Sequence, residues 1–282
     1  MLQGRLVLLF VCCCIIEITV IGKATAFTFS NVDVPIAFVA MTVSDGDNNN
    51  NNNNNNNTQL TILGYGSLLS ERSSRMTFPE LQNFRLGRIP NYRRVFGHAT
   101  SLFFKRGIAN METLEMSSLS AEYMPGHKGF ICTVFEVSNS DMMMKDGIPS
   151  QAFLEREEEF NIVTVPYIDL TTGKEQQGVL CTRGSDDEFL QRWGQDHFDQ
   201  DYTRYGIPTI WNWNETSGLR PCAIYLRHCV LAAQKMGDEC YNSFLDETFL
   251  VDRKTTLRSY LHDNPHVMNT VPPPNLEIRY GG

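Results

Sequence analysis

The sequence has no basic face to offer a phosphate backbone. Its 24 lysines and arginines stand against 32 aspartates and glutamates, for a net charge of −8, and the cations fall singly or in pairs such as Arg93-Arg94. That lacks the footprint of a nucleic-acid binder, and acidity of this size mainly keeps a chain soluble. A disulfide framework is missing as well. Cys12, Cys13 and Cys14 sit together in an apolar segment, while Cys132, Cys181, Cys222, Cys229 and Cys240 are widely spaced and odd in number. Such a set does not look like a secreted scaffold and fits buried thiols in a reducing compartment. No internal repeat at solenoid spacing is present either. What remains, in 282 residues of which 42% are hydrophobic, is material for one sizeable domain or a domain with an extension.

The first 26 residues are of another kind. "LVLLFVCCCIIEITVIG" follows Arg5 and ends in Ala24-Thr25-Ala26 before Phe27, the pattern of a secretory signal peptide. An apolar segment of about 17 residues also approaches the length of a membrane anchor. Glu17 within the run and the small residues at its exit favour cleavage, leaving no stable anchor. A phenylalanine after the cleavage site resembles the entry signal for complex plastids of some algae, although Asp33, Asp45 and Asp47 are unlike a transit peptide. Initiation at Met41 would instead leave a cytosolic chain. Residues 27–58 read as a spacer, because the ten asparagines Asn48 to Asn57 bury nothing that offsets the entropy of ordering.

From residue 59 to about 185 the pattern is strand-rich. Strands are expected over Leu60–Leu63, Arg94–Ala99, Ser117–Glu122, Phe130–Val137, Ile162–Ile168 and Gly178–Thr182. The apolar run from Phe130 to Val137 suits a strand buried on both faces. Thr171-Thr172-Gly173-Lys174 joins the last two as a hairpin. A helix opened by Pro149-Ser150 is expected to run through "QAFLEREEEF", with Ser150 as its N-cap. After Asp186 the period becomes helical. Cys222, Tyr225, Cys229, Ala232 and Met236 form one stripe that stops at Gly237. "DECYNSFLDETFLVD" and "DRKTTLRSYLHDN" read as two further helices, the second capped by Asp252, and "VPPPN" marks the end of regular structure. The organisation expected is α+β: targeting peptide, spacer, strand-rich domain over 59–185, and a helical extension over 186–282 packed on the core.

The densest set of acid–base groups is Glu155, Glu157, Glu158 and Glu159 around Arg156. A solvated helix face is the plain account of most charge runs. Yet Phe153, Leu154 and Phe160 bracket this one, so the helix must pack. A helix packed on one side cannot expose every successive residue, and one or two carboxylates are pushed inward. A partly buried carboxylate has its pKa raised, as a general acid–base near neutrality requires.

The stretch "GYGSLLS" at 64–70, followed some ninety residues later by "FLEREEEFNIVTV", resembles the γ-glutamylcyclotransferase-like superfamily. The resemblance covers about residues 59–183. It implies a small mixed β-barrel with flanking helices and one cavity, and conversion of a γ-glutamyl compound into 5-oxoproline and a released amine. It also implies that neither metal nor cofactor is needed, because the substrate's own α-amine attacks its γ-carbonyl. Carried onto this sequence, Tyr65, Gly66, Ser67 and Leu68 form the substrate-binding turn. Glu157 is the acid–base residue, as it follows the arginine and precedes Phe160 by three. Glu158 is its rival, since Leu154 lies four residues before it. Leu68 stands where many glutamyl-amino-acid cyclotransferases have Asn, and Phe160 replaces a tyrosine. The Gly66-Ser67-Leu68 form resembles the glutathione-specific ChaC group. The alternative is a non-catalytic module on the same fold, with both carboxylates outward and the cavity filled.

Other clusters have simpler readings. His262-Asp263-x-x-His266 has metal-ligand types but sits at a helix end beside Pro265, where a surface cap accounts for it. "DHFDQD" at 196–201 lacks the glycine and bidentate glutamate of a calcium loop. Cys222, His228 and Cys229 belong to a packing stripe rather than a thiol–imidazole pair. Trp193, Trp211, Trp213, Tyr202 and Tyr205 are expected to seal the core against the extension. Asp141 and Met142-Met143-Met144 read as loop and packing material.

Overall fold

The computed structural model describes residues 59–138, 144–145, 148–149 and 151–281, plus two short paired strands, Thr19–Ile21 and Ala24–Ala26. The targeting and spacer expectations otherwise lie outside the described residues, as do the Ser150 cap, Asp141, Met142 and Met143. No helix among the described residues is long and apolar enough to cross a membrane.

Residues 55–282 form one compact unit. Its strands are β1 (Gln59–Gly64), β2 (Gln82–Ile89), β3 (Tyr92–Ala99), β4 (Glu115–Tyr123), β5 (Phe130–Ser138), β6 (Asn161–Asp169), β7 (Glu175–Thr182), β8 (Arg220–Pro221) and β9 (Thr248–Leu250). Five of them close on themselves in the order β6-β2-β5-β1-β7 and back to β6. Four of these pairings are antiparallel, and β1 with β7 is parallel at Ile62 and Val179. From β7 the sheet continues through β4 and β3 to β9. The α+β mixed barrel expected from the sequence is the fold observed, and closure leaves those five strands without a free edge.

The apolar run Phe130–Val137 is buried at all but one position, as a strand covered on both faces requires. The hairpin is also where it was expected. Asp169 Oδ1 accepts the amides of Thr171 and Thr172, each at 2.9 Å, which folds the turn. Strand β2 was not expected. Its sequence, "QNFRLGRI", carries two arginines and a register shift after Gln82. Arg85 reaches Asp169 at 2.6 Å and Glu136 at 2.8 Å, so this charged residue of the strand is neutralised by the neighbouring strands.

The helices are α1 (Glu71–Thr77), α2 (Ser101–Lys105), α3 (Gln151–Arg156), α4 (Asp186–Trp193), α5 (Gln195–Asp201), α6 (Ala223–Lys235), α7 (Asp238–Asp246), α8 (Leu257–Asp263) and α9 (Glu277–Tyr280). Four boundaries correct the sequence reading. Helix α3 stops at Arg156, so Glu157 to Glu159 lie in a turn. The segment expected as one helix from Asp238 breaks after Asp246 and becomes β9, paired in parallel with β3. The next helix is capped by Thr256, whose hydroxyl accepts from the Ser259 amide, while Asp252 folds the preceding turn through Lys254 and Thr255. Beyond the prolines, α9 forms and buries Tyr280.

Tyr225, Cys229 and Ala232 of α6 belong to the same hydrophobic cluster as Leu63, Phe96 and Phe130 of the sheet. Tyr202 and Trp211 are buried in a second cluster, against which Trp193, Tyr205 and Trp213 pack. Burial pushes the Cys132 thiol up well above its usual range, and Cys222 to about 12; these are packing groups, not nucleophiles.

Gly129 holds the turn into β5 at φ +83°, and a Cβ there would stand 1.9 Å from the Ile89 carbonyl oxygen. Both the left-handed backbone and the contact exclude a side chain. Gly129→Ala is expected to cost on the order of 3 kcal/mol in chemical denaturation.

Candidate active site

Strand β1 ends at Gly64 and the chain turns through Tyr65 and Gly66 into a single 3₁₀ turn, Ser67–Leu69. The turn is closed by Leu69 N–H to Gly66 O at 3.0 Å and Ser70 N–H to Ser67 O at 3.2 Å. The leading amides of such a turn have no partner within it. From behind, the hydroxyls of Thr133 and Ser74 donate to the Leu68 carbonyl at 2.8 and 2.9 Å. Tyr65 is buried edge-on against Phe130 and donates its hydroxyl to the Cys181 carbonyl at 2.7 Å. Gly66 permits the closest approach, because a Cβ there would lie 2.4 Å from the Tyr225 phenol oxygen. A side chain at 66 would therefore push α6 away from the turn.

Tyr65, Gly66, Ser67 and Leu68 all line one cavity of about 360 Å³, within the range of small-molecule sites. Apolar walls come from residues such as Ile62, Phe78 and Val179, and the polar groups include Thr100, Arg106, Ser118, Glu157, Glu159, Tyr225 and Arg279.

Because α3 ends at Arg156, three successive glutamates face three surroundings. Glu157 lines the cavity, and its charge is felt at the Tyr65 phenol, which burial above all raises well beyond its ordinary value. Glu158 is turned aside onto other partners: it accepts from His197 Nε2 at 2.9 Å and from Ser101 Oγ at 3.1 Å. Glu159 is buried, lines the same cavity, and accepts the hydroxyls of Thr100 at 2.6 Å and Tyr202 at 2.8 Å. Burial, with the neighbouring Glu158 charge second, pushes its carboxyl up to about 7 against two opposing hydrogen bonds. The inward carboxylate that the sequence required is thus present, but Glu159 is the residue shown with a raised pKa. The apolar residues that bracket the run mark it as packed, but residue spacing does not single out the buried member. Arg106, Arg279 and Tyr280 were likewise missed as cavity residues.

Phe160 lines the cavity and stands edge-on to His98 at 5.2 Å. The late histidines do not converge: His262 pairs with Asp263 at 2.9 Å, and His266 with Glu115 at 3.2 Å. His197 and Asp201 of the "DHFDQD" segment do meet Glu158, with ligand-type atoms within 4.8 Å of one another. Lys105 Nζ already lies 2.7 Å from Asp201, however, so the chain supplies its own cation there. His228 is buried and meets Ser73 Oγ at 3.2 Å; burial lowers its pKa to about 4, which keeps the imidazole neutral.

Glu159 makes folding pH-dependent. The unfolded carboxyl releases its proton near 4.5, while the folded one retains it to about 7. Between those values the folded state binds the extra proton, so stability falls as pH rises through the window and levels above it. The loss is expected to be on the order of 3 kcal/mol. Denaturation midpoints measured from pH 4 to 8 should show it, and Glu159→Gln should flatten the slope.

No known family model matches the sequence, and no curated protein is detectably similar to it. Some solved structures align with parts of it. A γ-glutamyl cyclotransferase specific to glutathione, from yeast, is 13% identical, with a TM-score of 0.37 over 76% of this chain and 96% of its own. Another γ-glutamyl cyclotransferase is 15% identical, with a TM-score of 0.34 over 45% of this chain and 67% of that one. An uncharacterised human protein is 16% identical, with the same score and coverage.

Proposed function

We propose that the protein is a γ-glutamylcyclotransferase-like enzyme that releases 5-oxoproline from a γ-glutamyl compound, with Glu157 as general acid–base. The observation that carries the reading is that Glu157 and the Tyr65–Leu68 turn line one cavity. The substrate's α-amine attacks its own γ-carbonyl, forming the ring C–N bond and breaking the original amide C–N bond. Glu157 takes a proton from the attacking amine and delivers it to the leaving nitrogen, so the carboxylate is regenerated. The front amides of the turn hold the glutamyl head so that the ring-closing geometry is populated. Burial favours the neutral form of Glu159, which keeps a second negative charge out of the cavity below about pH 7.

Glu158 fits the role less well, since His197 and Ser101 hold it and it does not share the cavity lining. A purely structural module would need a filled cavity with its carboxylates outward, and the open cavity beside Glu157 favours catalysis instead.

The test is to incubate the full chain with glutathione and a panel of γ-glutamyl peptides and to measure 5-oxoproline. Release is expected from at least one compound. Glu157→Gln should lower the rate by about 10²–10⁴-fold, the usual worth of a general acid–base, with circular dichroism unchanged. Absence of product across the panel would overturn the reading.

A further inference from the structure

Two guanidinium groups line the cavity, Arg106 just beyond α2 and Arg279 on α9. Arg106 donates to the phenol oxygen of Tyr280 and stands 5.5 Å from its ring centroid, and Arg279 precedes Tyr280 directly in α9. Tyr280 is 2% exposed, and Ser73 Oγ donates to the Arg279 carbonyl at 3.4 Å, which ties the segment to α1. Neither guanidinium makes an ion pair among the described residues. Tyr280 offers Arg106 a neutral acceptor, so among the described residues neither positive charge is paired with a carboxylate. A guanidinium carries five donors in a planar fork suited to a carboxylate. In a chain of net charge −8, an uncompensated pair of cations facing a cavity is an acceptor site for an anion.

The groups around the cavity sort by the charge they accept. Glu157 serves an amine, and the front amides of the Gly66–Leu68 turn serve one carboxylate. The arginine pair remains for a second. We infer that Arg106 and Arg279 form a carboxylate receptor for the half of the substrate that is released, so that the site selects γ-glutamyl amino acids and peptides with a free carboxylate over γ-glutamyl amines and amides. The identity of the ligand rests on the proposed γ-glutamyl chemistry; the receptor rests on the geometry of α2 and α9.

Binding and turnover separate the two. The Glu157→Gln chain is titrated calorimetrically with γ-glutamylalanine and with γ-glutamylalanine amide, which differ only in the carboxylate. The acid is expected to bind at least about tenfold more tightly, as charge-assisted hydrogen bonds allow. Adding Arg279→Ala or Arg106→Ala should bring the ratio towards one, and Arg279→Lys should restore part of it, with near-UV circular dichroism checking the fold. Equal binding of acid and amide, or a ratio unmoved in both alanine variants, would overturn the receptor. Acid-selective binding without 5-oxoproline from the wild-type chain would sink catalysis and leave the receptor standing. Release of 5-oxoproline from acid and amide with equal efficiency would do the reverse.

Discussion

The contact on which the site depends is the approach of the Tyr225 phenol to the backbone at Gly66, so close that a Cβ would fall 2.4 Å from the oxygen. It fixes α6 against the turn after β1, with Phe96 and Phe103 packed on the same ring at 6.2 and 5.0 Å. The turn has little independent stability: it is a single 3₁₀ turn, held by side chains from β5, α1 and α6. Its amides are set by those neighbours rather than by its own sequence. Preorganised amides cost no rearrangement when charge develops opposite them, which is the condition for electrostatic stabilisation.

A second constraint is the early end of α3. Had the helix continued to Phe160, successive glutamates would point about a hundred degrees apart around one axis. In the turn they instead reach a cavity, a histidine and a buried hydroxyl pair. The arrangement couples them, because the Glu158 charge contributes to raising Glu159. His197, which holds Glu158 at 2.9 Å, lies next in that chain of contacts. Electrostatics at the cavity thus reaches through the turn to α5.

The sequence conveyed those features whose cause is local. The run Phe130–Val137, the hairpin at Gly173 and the stripe on α6 carry their burial in their periodicity. So does the glycine-flanked Tyr65, whose spacing announces close approach of backbone. Strand β2 escaped because Arg85 is neutralised by Glu136 and Asp169 from other strands and Arg88 by Glu247 just after α7, partners that no window of β2 contains. Glu159 escaped for the same reason: Thr100 and Tyr202, which hold it, lie 59 and 43 positions away. Arg279 and Tyr280 follow "VPPPN", where a run of prolines reads as an end. Only the packing of α9 beneath α1 and beside His228 gives them a place in the cavity wall.

That wall joins Ser73 to Arg279 across 206 positions. Contacts of such separation form after the local ones, because loop-closure entropy must be overcome before they contribute. The barrel strands can pair while α9 is still free, and the cavity in that interval is a groove open to water. In the folded chain this four-residue helix is held through Tyr280, which is buried in the main hydrophobic cluster and bonded by Arg106, so the wall of the cavity rests on an aromatic anchor.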